Sequence, residues 1–211
     1  MNTQRYELPM FPLGTPLLPD AVLPLHIFEP RYVEMLERCL QNAEPEFGVV
    51  LIERGHEVGG GDIRAMIGCA TRILQVSDTQ DGRRGVLSVG VRRIRIEQWQ
   101  PDNPFPIAMV SDLPDVDSGD IDQTQIERLR AHLLLLAELA GGGAESIQEL
   151  ADLELAREPS QLSYQLSTLA PIGAADRQRL LACASAQIRL DALESILGDV
   201  EAVFRFALLP D

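Results

Sequence analysis

The spacing of apolar residues changes along this chain, and that change limits the folds it can form. In the first half, apolar residues occur in short runs or alternate with polar ones, as in residues 86–96, where Ile94 and Ile96 alternate with arginines. Beyond residue 122 they recur every three or four positions, at Ile126, Leu129, Leu133 and Leu136. The first pattern is typical of half-buried strands and the second of amphipathic helices. The sequence therefore predicts an α+β protein: a small rolled β-barrel or sheet with one early helix, followed by an α-helical bundle.

The segment DLPDVDSGDID, residues 112–122, marks the boundary. It contains five aspartates, a proline and a glycine, and we expect a β domain over 1–116 and an α-helical domain over 117–211. Charge changes there too: residues 1–110 hold 11 arginines and 14 acids, and residues 111–211 hold 7 and 18. The acids at Asp115 and Asp117 resemble the start of a calcium loop, but Gly119 and Ile126 occupy positions that need ligands. We expect an acidic, solvated linker and no metal site.

Proline and glycine place several elements. Proline within the apolar runs, at Pro9, Pro12 and Pro24, predicts edge strands or bends, because proline cannot donate to a sheet. Pro30 predicts the first residue of a helix through about Asn42. Strands at 67–76 and 86–96 flank an Asp-Gly pair at 81–82 that is typical of a hairpin turn. In the second half, Ser146 and Glu149 have capping-box spacing, and Pro159 predicts a helix through residue 169.

The basic residues exclude several chemistries. All eighteen are arginine, and the chain has no lysine. A P-loop needs its lysine at the phosphates, and Schiff-base and Ser-Lys chemistry need lysine as well. The net charge of -14 also argues against nucleic acid, whose binding depends on neutralised phosphates. The sequence therefore excludes a standard nucleotide-hydrolysing site and catalysis by lysine in these residues.

Cysteine and histidine give no clear catalytic or metal site. Cys39, Cys69 and Cys183 are far apart, which argues against disulfides and a zinc ribbon. With no apolar stretch long enough for a membrane span, we expect a cytoplasmic protein. The three histidines lack metal-ligand spacing, and we expect His26, in an apolar strand, to be a hydrogen-bonded core residue. A Cys–His nucleophile remains an alternative, since such pairs meet in space.

The string PLHIFEPRY, residues 24–32, is the most distinctive local feature. It places a strand directly before a helix start, with an acid beside the helix N-terminus and a cation and an aromatic in the first turn. The residues singled out are His26, Phe28, Glu29, Pro30, Arg31 and Tyr32. They predict either a well-packed corner with an internal arginine pair or a binding surface.

Several blocks together resemble a known family. FPLGTPLLPDAVLPLHIFEPRYVEML, EFGVVLI, IGCATRI, the DGRR turn, LSVGVRRIRI and PIAMVSDLPD resemble the N-terminal, substrate-recognition domain of Lon protease. The later segment PSQLSYQLSTLAPIGAADRQRLLACASAQIRLDALESIL is similar to the helical part of that domain. One departure is the arginine-rich stretch 92–96, where the family more usually has an acid and then an aromatic.

The resemblance implies a PUA-like rolled barrel followed by helices, and a role in holding polypeptide substrates. It implies that the ATPase and Ser-Lys peptidase modules of Lon lie downstream of the residues present here. We therefore expect a non-catalytic protein without cofactors that binds unfolded or exposed polypeptide segments, at an open strand edge or in a groove near Phe28, Arg31 and Tyr32. A protease or chaperone partner and self-association are also expected to be compatible with this role, and membrane and nucleic acid are not expected partners.

Two alternatives stay open at this point. One is a small hydrolase with a Cys or His site. The other is RNA binding, as PUA-like barrels can do, through a basic stripe formed by Arg83, Arg84, Arg92, Arg93 and Arg95.

Overall fold

The structure is a computed structural model that describes residues 4–55, 63–78, 83–117, 119 and 121–207. It divides into two units, Met1–Pro114 and Asp115–Asp211. The division falls before residue 115, slightly earlier than composition suggests. The reason is that Asp115 and Val116 are bonded to residues of the helical unit, to Arg189 and to the Ala184 carbonyl.

Within its described residues, the first unit contains six strands and one helix. In chain order they are β1 (Arg5–Leu13), β2 (Val22–Ile27), α1 (Pro30–Cys39), β3 (Glu46–Arg54), β4 (Ile63–Asp78), β5 (Arg84–Trp99) and β6 (Ile107–Asp112). Helix α1 begins at Pro30 as predicted, and it ends three residues before the expected Asn42. The Asp-Gly pair at 81–82 lies outside the described residues, so the hairpin turn between β4 and β5 stays a prediction.

The sheet closes on itself through β5. The strand order is β2-β5-β4-β3-β1-β6, with a further pairing between β5 and β6. Strand β5 pairs with β4 along one side. Along its other side, the first part pairs with β2 from Arg84 to Val89, and the last part pairs with β6 from Ile94 to Trp99. Five strands therefore form a closed barrel, and β2 is an additional strand at the edge, which confirms the rolled β architecture.

The prolines predict one edge strand correctly and one wrongly. Strand β2, which contains Pro24, has a neighbour on one side only. Strand β1, which contains Pro9 and Pro12, lies between β3 and β6 and is not an edge. Its residues 5–9 pair only with β6 and its residues 10–13 only with β3. Each proline thus lies in a half-strand that pairs on a single side, where a missing N–H is tolerated.

Helix α1 buries its apolar face against the barrel. Tyr32, Met35, Leu36 and Cys39 lie in one cluster with Phe47, and the other members are Leu13, Leu17, Ile27, Val49, Cys69, Ile73, Val86, Phe105 and Ile107. A second cluster lies around Met10, Val50, Ile94 and Val110. Burying an aliphatic or aromatic side chain of this size contributes about 1.5–3 kcal/mol, so these clusters supply most of the stability of the unit.

Gly90 lies where β5 changes partner. Its N–H donates to the Ala21 carbonyl and its carbonyl accepts from Asp20, both at 2.9 Å. A Cβ at this position would lie 2.4 Å from the Leu18 oxygen and 3.0 Å from the Cys69 sulfur. The chain before β2 can therefore approach β5 only because residue 90 has no side chain.

The second unit is helical, as predicted. It contains α2 (Gln123–Leu139), α3 (Ala144–Asp152), α4 (Pro159–Leu169), α5 (Ala174–Ala182) and α6 (Ala186–Ala207). The capping box at Ser146 is wrong: α3 begins at Ala144 after Gly143, so Ser146 already lies inside the helix. Among the described residues, no helix is both long and apolar enough to cross a bilayer.

A buried arginine organises this helical unit. The Arg189 side chain on α6 has no solvent exposure, and its Nη1 and Nη2 donate to the two Asp115 carboxylate oxygens at 2.9 Å. It also donates to Ser163 Oγ at 2.6 Å and to the Leu180 carbonyl at 3.1 Å. Its guanidinium lies 3.7 Å from the centre of the Tyr164 ring. The predicted solvated linker is therefore wrong at Asp115, because a two-point ion pair holds its carboxylate against the helices.

We expect Gly90→Ala to lower the free energy of unfolding of the barrel by about 1–3 kcal/mol, since the added methyl group overlaps a backbone oxygen. Trp99, the single tryptophan, lies in β5 and reports barrel unfolding in urea by fluorescence. Gly198→Ala in α6 is the control, because nothing lies within 4 Å of its Cβ and alanine favours a helix by about 1 kcal/mol. An unchanged Gly90→Ala midpoint would contradict the close approach.

We expect Arg189→Met to destabilise the helical unit by about 3 kcal/mol, because it leaves the largely buried Asp115 carboxylate without its cation. Urea unfolding followed by far-UV circular dichroism measures this. The double variant with Asp115→Leu removes both charges and should lose less than the sum of the single variants. Additive losses would show that the two side chains do not interact.

Candidate functional site

The corner between β2 and α1 contains the six residues that the sequence singles out. Glu29 is the residue before the helix, and its carboxylate accepts from Arg31 Nε at 2.9 Å. The Arg31 guanidinium lies 4.5 Å from the centre of the Tyr32 ring. Tyr32 is buried and packs against Phe11 with ring centres 4.2 Å apart. The internal arginine pair is present, and Glu29, Arg31 and Tyr32 form a packed corner.

The other three residues face solvent. Phe28 keeps 60% of its surface exposed, and Pro30 and His26 are exposed as well. The expectation of a core histidine is therefore wrong for His26, because even-numbered residues of β2 face outward while Ile27 points into the core. The structure thus separates the motif into a buried half and an exposed half.

Strand β2 has an open edge directly before these exposed residues. Within the described residues, β2 pairs with β5 and with no other strand. Gly90 N–H donates to the Ala21 carbonyl, so the Ala21 carbonyl points toward β5. Backbone groups alternate in direction along an antiparallel ladder. Residues 23, 25 and 27 therefore turn their backbone groups toward β5, and Val22, Pro24 and His26 turn theirs toward the open side.

An apolar strip lies on the outer face beside that edge. Val22 pairs with Val89, and Pro24 pairs with Leu87, so these four side chains are cross-strand neighbours. Leu74 lies in the neighbouring strand β4, between Ile73 and Gln75, where the register between β4 and β5 shifts. Val22 is 60% exposed, Leu74 56% and Leu87 37%. Contiguous exposed apolar groups of this kind are typical of interaction surfaces.

Sequence reasoning missed this strip. Pro24 indicated the edge, and Leu87 was visible within the predicted strand. Val86 and Leu87 are both apolar, however, so their spacing did not show which of them faces out. In the structure Val86 is buried and Leu87 is exposed.

A second concave region lies elsewhere on the first unit. It is a groove of about 570 Å³ lined by residues of β1, β3, β5 and β6 and by residues of the segment before β3. Tyr6 OH donates to Asp112 Oδ1 at 2.6 Å, and Arg92 donates to Tyr6 OH at 2.9 Å and to Glu46 Oε2 at 2.8 Å. Burial raises the pKa of Tyr6 to about 12, and the hydrogen bond to Glu46 raises the pKa of Arg92. Both groups keep their protons at neutral pH, so neither acts as a general base there.

The predicted basic stripe is not continuous. Arg93 is buried, Arg92 is held by Glu46 and Asp112, and Arg84 lies 3.2 Å from Asp78 and 3.7 Å from Glu37. Carboxylates neutralise Arg84 and Arg92, and Arg93 is buried, so three of the five arginines are not free to contact phosphates, which weakens the case for RNA.

The cysteines do not provide a nucleophile in the barrel. Burial raises the pKa of Cys39 to about 11 and that of Cys69 to about 12, so both stay thiols at neutral pH. All three cysteines are free, and Cys183 is half-buried. Among the described residues, no group of three or more His, Cys, Asp or Glu side chains is arranged to hold a metal ion.

Comparison with known proteins places the chain. A family model described as the ATP-dependent protease La (LON) substrate-binding domain matches residues 7–199. The chain belongs to this family. The match includes both units, β2 with its open edge, and the β2–α1 corner.

The curated relatives that this chain matches are much longer than the chain itself. It is 27% identical over 198 residues to the Lon protease of Koribacter versatilis (strain Ellin345), covering 90% of this chain and 24% of the relative. It is 22% identical over 202 residues to the Lon protease of Escherichia coli (strain K12), covering 93% of this chain and 25% of the relative. The chain spans about a quarter of the length of the curated relatives it matches.

Solved structures of Lon N-terminal domains have the same fold as this chain. A Lon N-terminal domain protein from Xanthomonas campestris superposes with a TM-score of 0.69 at 25% identity, covering 90% of this chain and 98% of that chain. The N-terminal domain of a Mycobacterium avium complex Lon protease gives 0.69 at 19% identity, covering 92% and 99%, and supports the fold alone. The predicted family and the predicted α+β fold class are both confirmed.

We expect native protein at pH 8 to react with a thiol reagent such as DTNB rapidly at Cys183 and slowly at Cys39 and Cys69. The buried thiols are protonated at that pH and inaccessible, and both reasons slow the reaction. Mass spectrometry of the protein carrying the mixed disulfides formed with DTNB assigns each site, and protein denatured in urea, where all three react, is the control. Rapid labelling of Cys69 in native protein would contradict its burial.

Proposed function

We propose that this chain is a polypeptide-recognition module that binds unfolded or exposed segments of other proteins and has no catalytic activity of its own. The observation that carries the proposal is membership of the Lon substrate-binding family over residues 7–199. The proposed surface is the apolar strip of Val22, Pro24, Leu74, Leu87 and Val89, continued by Phe28.

The character of this surface supports binding of apolar segments. Val22, Phe28 and Leu74 are each more than half exposed, so water covers apolar area that a partner could cover instead. A chain segment that is normally buried becomes available only when its own protein unfolds. An apolar surface therefore distinguishes unfolded proteins from folded ones, which rarely expose contiguous apolar segments.

The charge distribution supports placing the site on the first unit. Residues 1–110 are close to neutral, with 11 arginines against 14 acids, whereas residues 111–211 carry 7 against 18. Polypeptides of either charge can approach a nearly neutral surface without strong repulsion, while a strongly acidic one selects against acidic segments.

The chemistry of the chain supports a non-catalytic role. It has no lysine, so nucleotide hydrolysis by a P-loop and peptide hydrolysis by a Ser-Lys pair are both unavailable to these residues. Its barrel cysteines are protonated and buried. We propose that bound segments pass to a protease or chaperone partner in the cytoplasm, where free cysteines remain reduced.

The test measures binding of fluorescein-labelled, reduced and carboxymethylated lactalbumin, which stays unfolded, by fluorescence anisotropy. We expect saturable binding at micromolar concentrations, and we expect the double variant Val22→Ser with Leu87→Ser to bind about tenfold or more weakly, as loss of two apolar contacts implies. Phe28→Ser should also weaken binding.

Val203→Ser is the matched control, since Val203 is 69% exposed, against 60% for Val22, but lies on the helical unit. Equal loss from Val203→Ser would place the contact elsewhere. Failure of the native chain to bind the unfolded probe would refute the function itself.

A further inference from the structure

The open edge of β2 offers a specific set of backbone groups. Val22, Pro24 and His26 each direct a carbonyl toward the open side, as the Ala21–Gly90 hydrogen bond determines for the ladder. Val22 and His26 also direct an N–H there. Pro24 has none, so the edge carries three acceptors and two donors, and the gap lies at its centre.

Apolar side chains lie on both faces of this edge. Val22 and Pro24 lie on the outer face, next to the exposed Leu87. Leu23 and Leu25 lie on the opposite face, where they are only partly buried against the core cluster that includes α1. An extended segment placed along the edge would find apolar neighbours for consecutive residues, whichever face each side chain takes. That is the pattern of strands buried on both sides.

We propose that the bound segment pairs with β2 as an added strand, and that Pro24 sets its affinity by withholding the central donor. This inference rests on the proposed function and adds the mode of binding to it. The affinity then depends on the number of edge N–H groups, which is two in the native chain. The occupant is an extended, apolar segment of another polypeptide.

The same gap disfavours pairing between two copies of this chain. Two β2 strands that meet antiparallel about residue 24 would place Pro24 opposite Pro24, and both donors of that central pair would be missing. A foreign segment supplies its own donors to all three β2 carbonyls. The edge is therefore better matched to a foreign segment than to a second copy of β2. Prolines in natural edge strands protect sheets from pairing with one another in the same way.

Two variants change the number of N–H donors at the edge, and a third is their control. Pro24→Ala adds an N–H and gives three. His26→Pro removes one and leaves one, and His26→Ala removes the same side chain but keeps the N–H. Because residue 26 directs its backbone away from β5, His26→Pro breaks no bond of the barrel. Trp99 fluorescence in urea checks that each variant folds.

The experiment measures binding of the labelled lactalbumin to each variant. We expect Pro24→Ala to bind roughly threefold to tenfold more tightly than the native chain, and His26→Pro to bind more weakly than His26→Ala by a similar factor. His26→Ala should stay within about twofold of the native chain. If His26→Pro fails to fold, the gain from Pro24→Ala still decides the matter.

Contrary outcomes are separable. Native binding with equal affinities for His26→Pro and His26→Ala, and no gain from Pro24→Ala, overturns strand addition and leaves the proposed function intact. Dimerisation of Pro24→Ala in sedimentation velocity without tighter probe binding assigns the edge to a second copy and also overturns the inference. No binding by the native chain overturns the inference together with the function.

Discussion

The first unit depends on strand β5, which pairs with three other strands. Strand β5 pairs with β4 along one side, and along the other it pairs first with β2 and then with β6. The β6 pairing closes the barrel and encloses the core around Met10 and Ile94. The β2 pairing leaves a strand whose second side has no neighbour in the described structure. Closure of the barrel and exposure of the edge are thus two results of the same arrangement, and Gly90 makes room for the change of partner.

The helical unit solves a different problem, which is how to hold an acidic, irregular segment in place. Asp115 precedes the helices, and its carboxylate is bound at both oxygens by Arg189. Hydrogen bonds from Arg189 to Ser163 and to the Leu180 carbonyl extend this contact to α4 and α5. A buried charge must be paired to be tolerated, so the cost of separating these groups works against loosening of the helices. Arginine suits the position because its planar group bonds a carboxylate at two points.

Local chemistry made much of the fold predictable, and long-range pairing accounts for most of what was missed. The division into strands and helices, the start of α1 at Pro30 and the edge at Pro24 follow from rules that act over a few residues. Asp115 was misjudged because its partner lies 74 residues away. His26 and Tyr32 were not separable by composition, since burial depends on which face of β2 and α1 meets the core. The apolar strip needed the register of β2 against β5, which no short-range pattern contains.

Under the proposed strand addition, the missing N–H donor at Pro24 also affects how long a segment stays bound. Changes in affinity at an interface mostly appear in the dissociation rate, and one backbone hydrogen bond of about 1 kcal/mol corresponds to roughly a fivefold change. A strand contact with a central gap is therefore released several times faster than a complete one. For the proposed role, in which bound segments pass to a partner, residence time matters as much as capture. A single proline in an edge strand can set the duration of each encounter, while the neighbouring apolar side chains select the segment.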